Sequence, residues 1–180
     1  MFYKSERTAL FVDGKSLYHS CYQLGFKVDY SKLYHIFAQR SLLVSANYFH
    51  TVTETGLDIH QKTIDWMKYN SWNAYTSFAP KIEHEDGTVR QFETVKMEIA
   101  MKVVELMEDF DHAIIVSGDV CFVPLVQLLK TRCRRSTIIS TVKTTPIAAS
   151  PKLRKEADHF VDLDDIASEI AVAELDQTGS

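Results

Sequence analysis

Two carboxylates stand where an apolar run stops beside a glycine: Asp13 in Phe11-Val12-Asp13-Gly14, and Asp119 in Val116-Ser117-Gly118-Asp119. A third acid, Glu98, sits early in the stretch 94–108 (TVKMEIAMKVVELME), the strongest helical pattern in the chain. Each has an ordinary explanation when taken alone. Asp beside Gly suits turns, Asp119 suits a helix cap, and an acid in a first helical turn is favoured by the helix dipole. Together they describe something more demanding. Three carboxylates brought to one place repel one another and raise their own pKa values unless a cation answers them. Mg²⁺ or Mn²⁺ takes oxygen ligands, keeps several waters and accepts a few carboxylates in place of a full protein cage. Such an ion activates water and neutralises a phosphodiester in the transition state, so hydrolysis of a nucleic-acid backbone is the chemistry that follows.

The acids meet only if the elements around them are laid out correctly. Short β-branched or aromatic runs alternate with helical patterns along the chain: strands over 8–12, 42–52, 74–79, 112–116, 136–142 and 159–161, and helices over 16–23, 32–39, 94–108, 122–132 and 151–157. A further helix carries Ile59, Ile64 and Met67, with Asp58 as its cap, and a last one starts at Asp164. Gly25 ends the first helix, Asp29 or Ser31 caps the second, and 83–87 (EHEDG) reads as an exposed turn. The run HAIIV at 112–116 is apolar throughout, as in strands covered on both faces. Alternation of this kind predicts an α/β fold with a mostly parallel sheet and helices on both faces. Such sheets bind ligands outside the carboxyl ends of their strands, where Asp13 and Asp119 fall. A helix that follows a strand starts at the same edge, which brings Glu98 to it.

The stretches FVDGKSLY (11–18), VKMEIAMKVVELM (95–107), IIVSGDVCFVPLVQLL (114–129) and SPKLRKEADHFVDL (150–163) resemble the NYN domains of the LabA-like group, within the PIN-like ribonuclease superfamily. The resemblance spans nearly the whole chain, and SGD-x-x-F-x-P-L is its most specific segment. It implies a PIN-like three-layer α/β/α sandwich, a Mg²⁺ or Mn²⁺ site of acidic residues, and action on RNA. Asp13 matches the acid of the family's first strand, Glu98 the acid of its K-V-D segment, and Asp119 the first acid of its S-G-D-x-D-F. Three positions depart from the pattern. Cys121 replaces the second aspartate of S-G-D-x-D-F, Ser16 replaces the usual Asn, and Val104 stands where many members carry a further Asp. Three acids suffice for one Mg²⁺ with several waters. Cys121 itself reads as a small buried hydrophobe.

These residues give two expectations of function. The first is a metal-dependent endoribonuclease with Asp13, Glu98 and Asp119 on the metal and in catalysis. The second is a catalytically weakened NYN module that binds RNA or a protein partner. A generic nucleotide-binding domain lacks support, because neither G-x-G-x-x-G nor a P-loop occurs, and the histidines show no zinc-hydrolase spacing. Ser16, Lys96, Ser117, Lys143 and Lys152 are the candidates for holding RNA, with Lys15, Arg154 and Lys155 beside them. The most basic run, 130–135, is set aside, because its helix begins at the acidic edge and carries the run to the opposite one, roughly 16 Å away. Tyr18, Trp66 and Trp72 could stack bases, but aromatics at helical spacing read as core.

Composition frames these expectations. The chain has 180 residues, 46% hydrophobic and 24% charged, which suits a single globular domain over 1–173 with a disordered tail over 174–180. Twenty basic against 24 acidic residues give a net charge of -4, so RNA contacts must be local. Three unpaired cysteines fit a reducing, cytoplasmic setting, and the absence of a long apolar run excludes a membrane span. A homodimer is compatible with all of this.

Overall fold

The computed structural model describes residues 2–52, 57–78, 81–83, 89–91 and 94–173. The chain begins with β1 (Arg7–Asp13), α1 (Gly14–Gln23), α2 (Tyr30–Arg40), β2 (Leu42–Val52), α3 (Leu57–Tyr69) and β3 (Asn73–Phe78). Two short strands follow, β4 (Lys81–Glu83) and β5 (Val89–Gln91), and then α4 (Val95–Glu105) and β6 (His112–Val116). A 3-10 turn at Val120–Phe122 leads into α5 (Val123–Thr131), β7 (Arg135–Ser140), α6 (Pro151–Glu156) and β8 (His159–Asp162). A second 3-10 turn, Leu163–Ile166, joins α7 (Ala167–Ile170).

Six strands make one sheet in the order β3-β2-β1-β6-β7-β8, and every neighbouring pair is parallel. β4 and β5 form a separate antiparallel pair that the periodicity does not announce. The expected turn at 83–87 falls here: Glu83 ends β4, and the rest of the turn lies outside the described residues. The expected tail over 174–180 also lies outside them, as does the end of the expected third strand at Ala79.

Side-chain alternation decides which layer each strand residue joins. Ala9, Phe11, Ala113, Ile115 and Ile138 enter one core with Ile99 of α4, Val126 of α5 and Leu153 of α6. Leu10, Val12, Ile114, Val116 and Ile139 enter the other, with Leu17 of α1, Phe37 of α2, Met67 of α3 and Ile170 of α7. Both faces of β1 and β6 are therefore covered, which is why their sequences are apolar without interruption. Each large side chain buried in this way contributes about 1.5–3 kcal/mol. The result is the expected three-layer α/β/α arrangement.

Helix starts follow their caps. The Asp13 carboxylate accepts from Ser16 N, so α1 begins at Gly14, two residues earlier than the apolar spacing predicts. Asp29, rather than Ser31, caps α2 by accepting from the amides of Ser31 and Lys32. Helix α3 starts at Leu57, so Asp58 lies within the helix and does not precede it.

Candidate active site

Strands β1 and β6 are neighbours at the centre of the sheet, and both end at the same edge. Beyond those ends lies a cleft of about 340 Å³. Asp13 and Asp119 line it, together with Lys15, Ser16, His19 and Lys96. Thr144, Pro146, Ile147 and Ala148, from the loop after β7, form another wall.

Asp13 is the buried acid of the cleft, only 3% exposed. One carboxylate oxygen is committed to Ser16 N at 3.0 Å, and Ser117 Oγ approaches the other at 3.5 Å. Ser117 also receives the Asp119 amide at 3.5 Å, so it stands between the two acids. Asp119 is more open. Its Oδ1 accepts from Cys121 N at 2.9 Å, and its Oδ2 pairs with Lys96 Nζ at 2.7 Å. Partial burial works to raise the pKa of Asp119, but hydrogen bonds from Lys96 and from the amide and thiol of Cys121 outweigh it. The net effect holds the carboxyl below its ordinary range, and it stays ionised.

The glycine beside each acid has a packing reason rather than a turn reason. A side chain at Gly14 would overlap the ring of Tyr48, and one at Gly118 would overlap the Ala148 carbonyl and meet Ser140 Oγ at 2.5 Å. Gly118 O in turn accepts from Ser150 N at 2.9 Å. The Asp119 loop and the 144–150 loop are thereby locked together.

Glu98 occupies the first turn of α4, as expected, but its carboxylate is engaged elsewhere. Thr94 Oγ1 donates to Oε1 at 2.7 Å, and Ser77 at the end of β3 donates to Oε2. Glu98 is absent from the cleft lining, and among the described residues no three His, Cys, Asp or Glu side chains gather as a metal cluster. Two of the three expected acids are thus brought together, and the third is held by hydroxyls.

Of the expected RNA-holding residues, Ser16 and Lys96 line the cleft, while Ser117 lies outside its lining and touches Asp13. Lys143 pairs with Asp164 at 2.5 Å and does not line the cleft. Lys152 lies in the first turn of α6, also outside the lining, and Arg154 covers the ring of Phe160.

The reading of Cys121 as buried is corrected, because it is exposed. Desolvation, followed by the hydrogen bond to Asp119, pushes its thiol up to about 12, so it serves as a donor and not as a nucleophile. The core reading of the aromatics holds for Trp72, at 3% exposed, but not for Trp66 or Tyr18. The exposed cleft residue His19 escaped the sequence reading, although Lys15, His19 and Gln23 recur every four residues of α1 and so mark one helix face.

The basic run 130–135 lies where expected, away from the cleft. Lys130 pairs with Glu156 at 3.0 Å, Arg134 with Glu108 at 3.2 Å and Asp111 at 3.4 Å, and Arg135 with Glu6 at 2.6 Å. Asp111 also holds Arg7 at 2.7 Å, and the exposed Cys133 sits among these residues.

The family described as NYN domain matches residues 7–164. This chain belongs to the NYN domain family. A curated relative, the low amplitude and bright protein LabA of Synechococcus elongatus, is 24% identical over 177 residues, covering 97% of this chain and 92% of LabA. A crystal structure of a protein of unknown function from Vibrio parahaemolyticus is similar in fold, with a TM-score of 0.73 and 23% identity, covering 93% of this chain and 97% of that one. The NYN domain is thus a PIN-like, nuclease-type α/β domain, with Asp13 and Asp119 at the carboxyl edge of its sheet.

Proposed function

We propose that this NYN domain acts on RNA as a metal-dependent endoribonuclease, with the cleft beyond β1 and β6 as its site. The observation that carries the reading is the pairing of Asp13 and Asp119 in one cleft with two lysines, Lys15 and Lys96. Family membership supports an RNA substrate, since NYN domains generally bind or act on RNA.

The donor set suits a hard cation. Two carboxylates beside the hydroxyl of Ser16 offer oxygen ligands, and Mg²⁺ or Mn²⁺ needs no more than one or two protein carboxylates when it keeps its waters. Asp13 and Asp119 would hold the ion, with Glu98 as the further candidate once it gives up Ser77 and Thr94. The Lys96–Asp119 pair is no obstacle. Its side chains are 35% and 32% exposed, and an ion pair that open contributes about 1 kcal/mol at most, so a divalent ion can displace it. Bound there, the metal would supply an activated water and charge neutralisation at phosphorus. Lys96, released from Asp119, reaches the phosphate, and Lys15 holds a neighbouring one. Ser117 keeps Asp13 oriented.

Incubation of labelled single-stranded RNA with Mn²⁺ or Mg²⁺ tests the reading. The native protein should cleave and Asp119→Asn should lose at least about a hundredfold in rate, whereas equal cleavage by both would sink the proposal.

A second reading, an RNA- or protein-binding module without turnover, is favoured by one observation. Glu98 is closed off by two hydroxyls, so the site as it stands has two acids in place of three. Measurable binding with no cleavage under either metal would select it.

A further inference from the structure

Tyr18 and Tyr22 stand one helical turn apart on α1, 56% and 73% exposed. Their rings lie nearly parallel, with centroids 6.2 Å apart and planes 18° apart. At about 100° of rotation per residue, Tyr22 lies about 20° and Tyr18 about 60° round the helix from Lys15. Lys15 and His19 line the cleft, and His19 meets the Tyr18 ring edge-on at 5.6 Å. One helix surface therefore carries the cation and imidazole of the cleft and, beside them, two exposed aromatic rings. The core of a protein-partner patch is depleted in charged residues. Here the neighbours on the exposed face are Lys15, His19 and Gln23.

We propose that Tyr18 and Tyr22 are a base-stacking platform for single-stranded RNA entering the cleft, with Lys15 holding the phosphate between the platform and the acids. The proposal rests on the RNA reading above and adds to it the form of the substrate. Aromatic faces stack on unpaired bases, whereas a duplex keeps its base faces covered. Stacking of this kind tolerates any sequence and favours purines through their larger area. It also explains how a chain of net charge -4 retains RNA, because part of the affinity comes from ring faces and not from phosphate pairing.

Fluorescence anisotropy of labelled oligo-A and oligo-U 12-mers at low salt, with the full chain, tests the platform. Tyr18→Ala with Tyr22→Ala should weaken binding by at least about tenfold, and the paired Phe variants should stay within about twofold of native. The native protein should quench 2-aminopurine placed in the oligomer, and the Ala pair should not. Both side chains are exposed, so the Ala pair should keep the native far-UV spectrum and melting temperature. If the native protein binds RNA and the Ala pair binds equally well, the platform is overturned while the RNA reading stands. Competition by duplex RNA as effective as by single strands overturns the single-strand assignment. Should the native protein bind neither oligomer, the RNA reading itself fails and the platform with it. A change in sedimentation of the Ala pair with unaltered RNA affinity would make the face a protein contact and would likewise overturn the proposal.

Discussion

Asp13 has two duties that a single substitution can separate. Its side chain caps α1 through Ser16 N, and its charge belongs to the cleft. Asn keeps the capping oxygen, so Asp13→Asn should retain the melting temperature while losing RNA cleavage. Asp13→Ala should lose both, at a cost of about 1 kcal/mol in stability read by denaturant titration. Lys96 allows a converse experiment. Removing the cation that faces Asp119 in Lys96→Met should strengthen Mn²⁺ binding severalfold, as followed by the loss of free Mn²⁺ signal in electron paramagnetic resonance. It should at the same time weaken RNA binding, and unchanged metal affinity would show that Lys96 does not compete with a metal. At this scale the sequence was informative where chemistry and position coincide. Asp13 and Asp119 were legible as a pair, because turn and cap chemistry accounts for either acid alone but not for two apolar runs that each lead to an acid beside a glycine. The restraint on Glu98 was legible only in its local half, from Thr94 four residues before it, because Ser77 lies 21 residues away on another element.

Among the elements, the loops after β6 and β7 control the shape of the cleft. Gly118 packs against the Ala148 carbonyl, a backbone atom that cannot rotate aside. Gly118→Ala should therefore push the 144–150 loop away, destabilise the fold by about 1–3 kcal/mol and reduce RNA affinity together. Thermal melting and anisotropy on the same sample check both, and a variant with native values in each would show that the loops are independent. Strands of the six-stranded sheet were legible to within about a residue or two, since a strand covered on both faces must be apolar throughout, as 112–116 is. Helix starts were less so, because the cap decides them: Asp13 moved α1 to Gly14. The 144–148 wall left no periodic signal at all, because the loop is held by Gly118 and Ser150 and not by a regular pattern of its own.

For the molecule as a whole, the two edges of the sheet carry different chemistry. The carboxyl edge holds the acids of the cleft, and the amino edge holds matched ion pairs around the buried His112. His112 lies between Glu6 at 3.2 Å and Thr137 at 2.7 Å, with Phe2 stacked on it and Arg135 and His159 nearby. Burial, aided by Arg135 and His159 and opposed by Glu6, pushes its pKa down to about 4. The folded state then binds fewer protons than the unfolded chain, whose histidines titrate near 6.5. Stability from His112 is complete above about pH 6.5, falls as pH drops and is lost near 4, with a slope of at most about 1.4 kcal/mol per pH unit. Melting temperature should decline from pH 7 to 4.5 in the native protein and decline less in His112→Gln. The basic run at this edge was placed correctly from topology alone, because a helix that starts at one edge must end at the other. Cys133 lies exposed within that run, whereas Cys21 is buried and both it and Cys121 hold thiols pushed up to about 12. Cys21 and Cys121 are therefore poor sources of thiolate at neutral pH. A maleimide dye applied at neutral pH should attach at the exposed Cys133 before either of them, so the native chain, without any substitution, would carry its reporter at the edge of the sheet opposite the cleft.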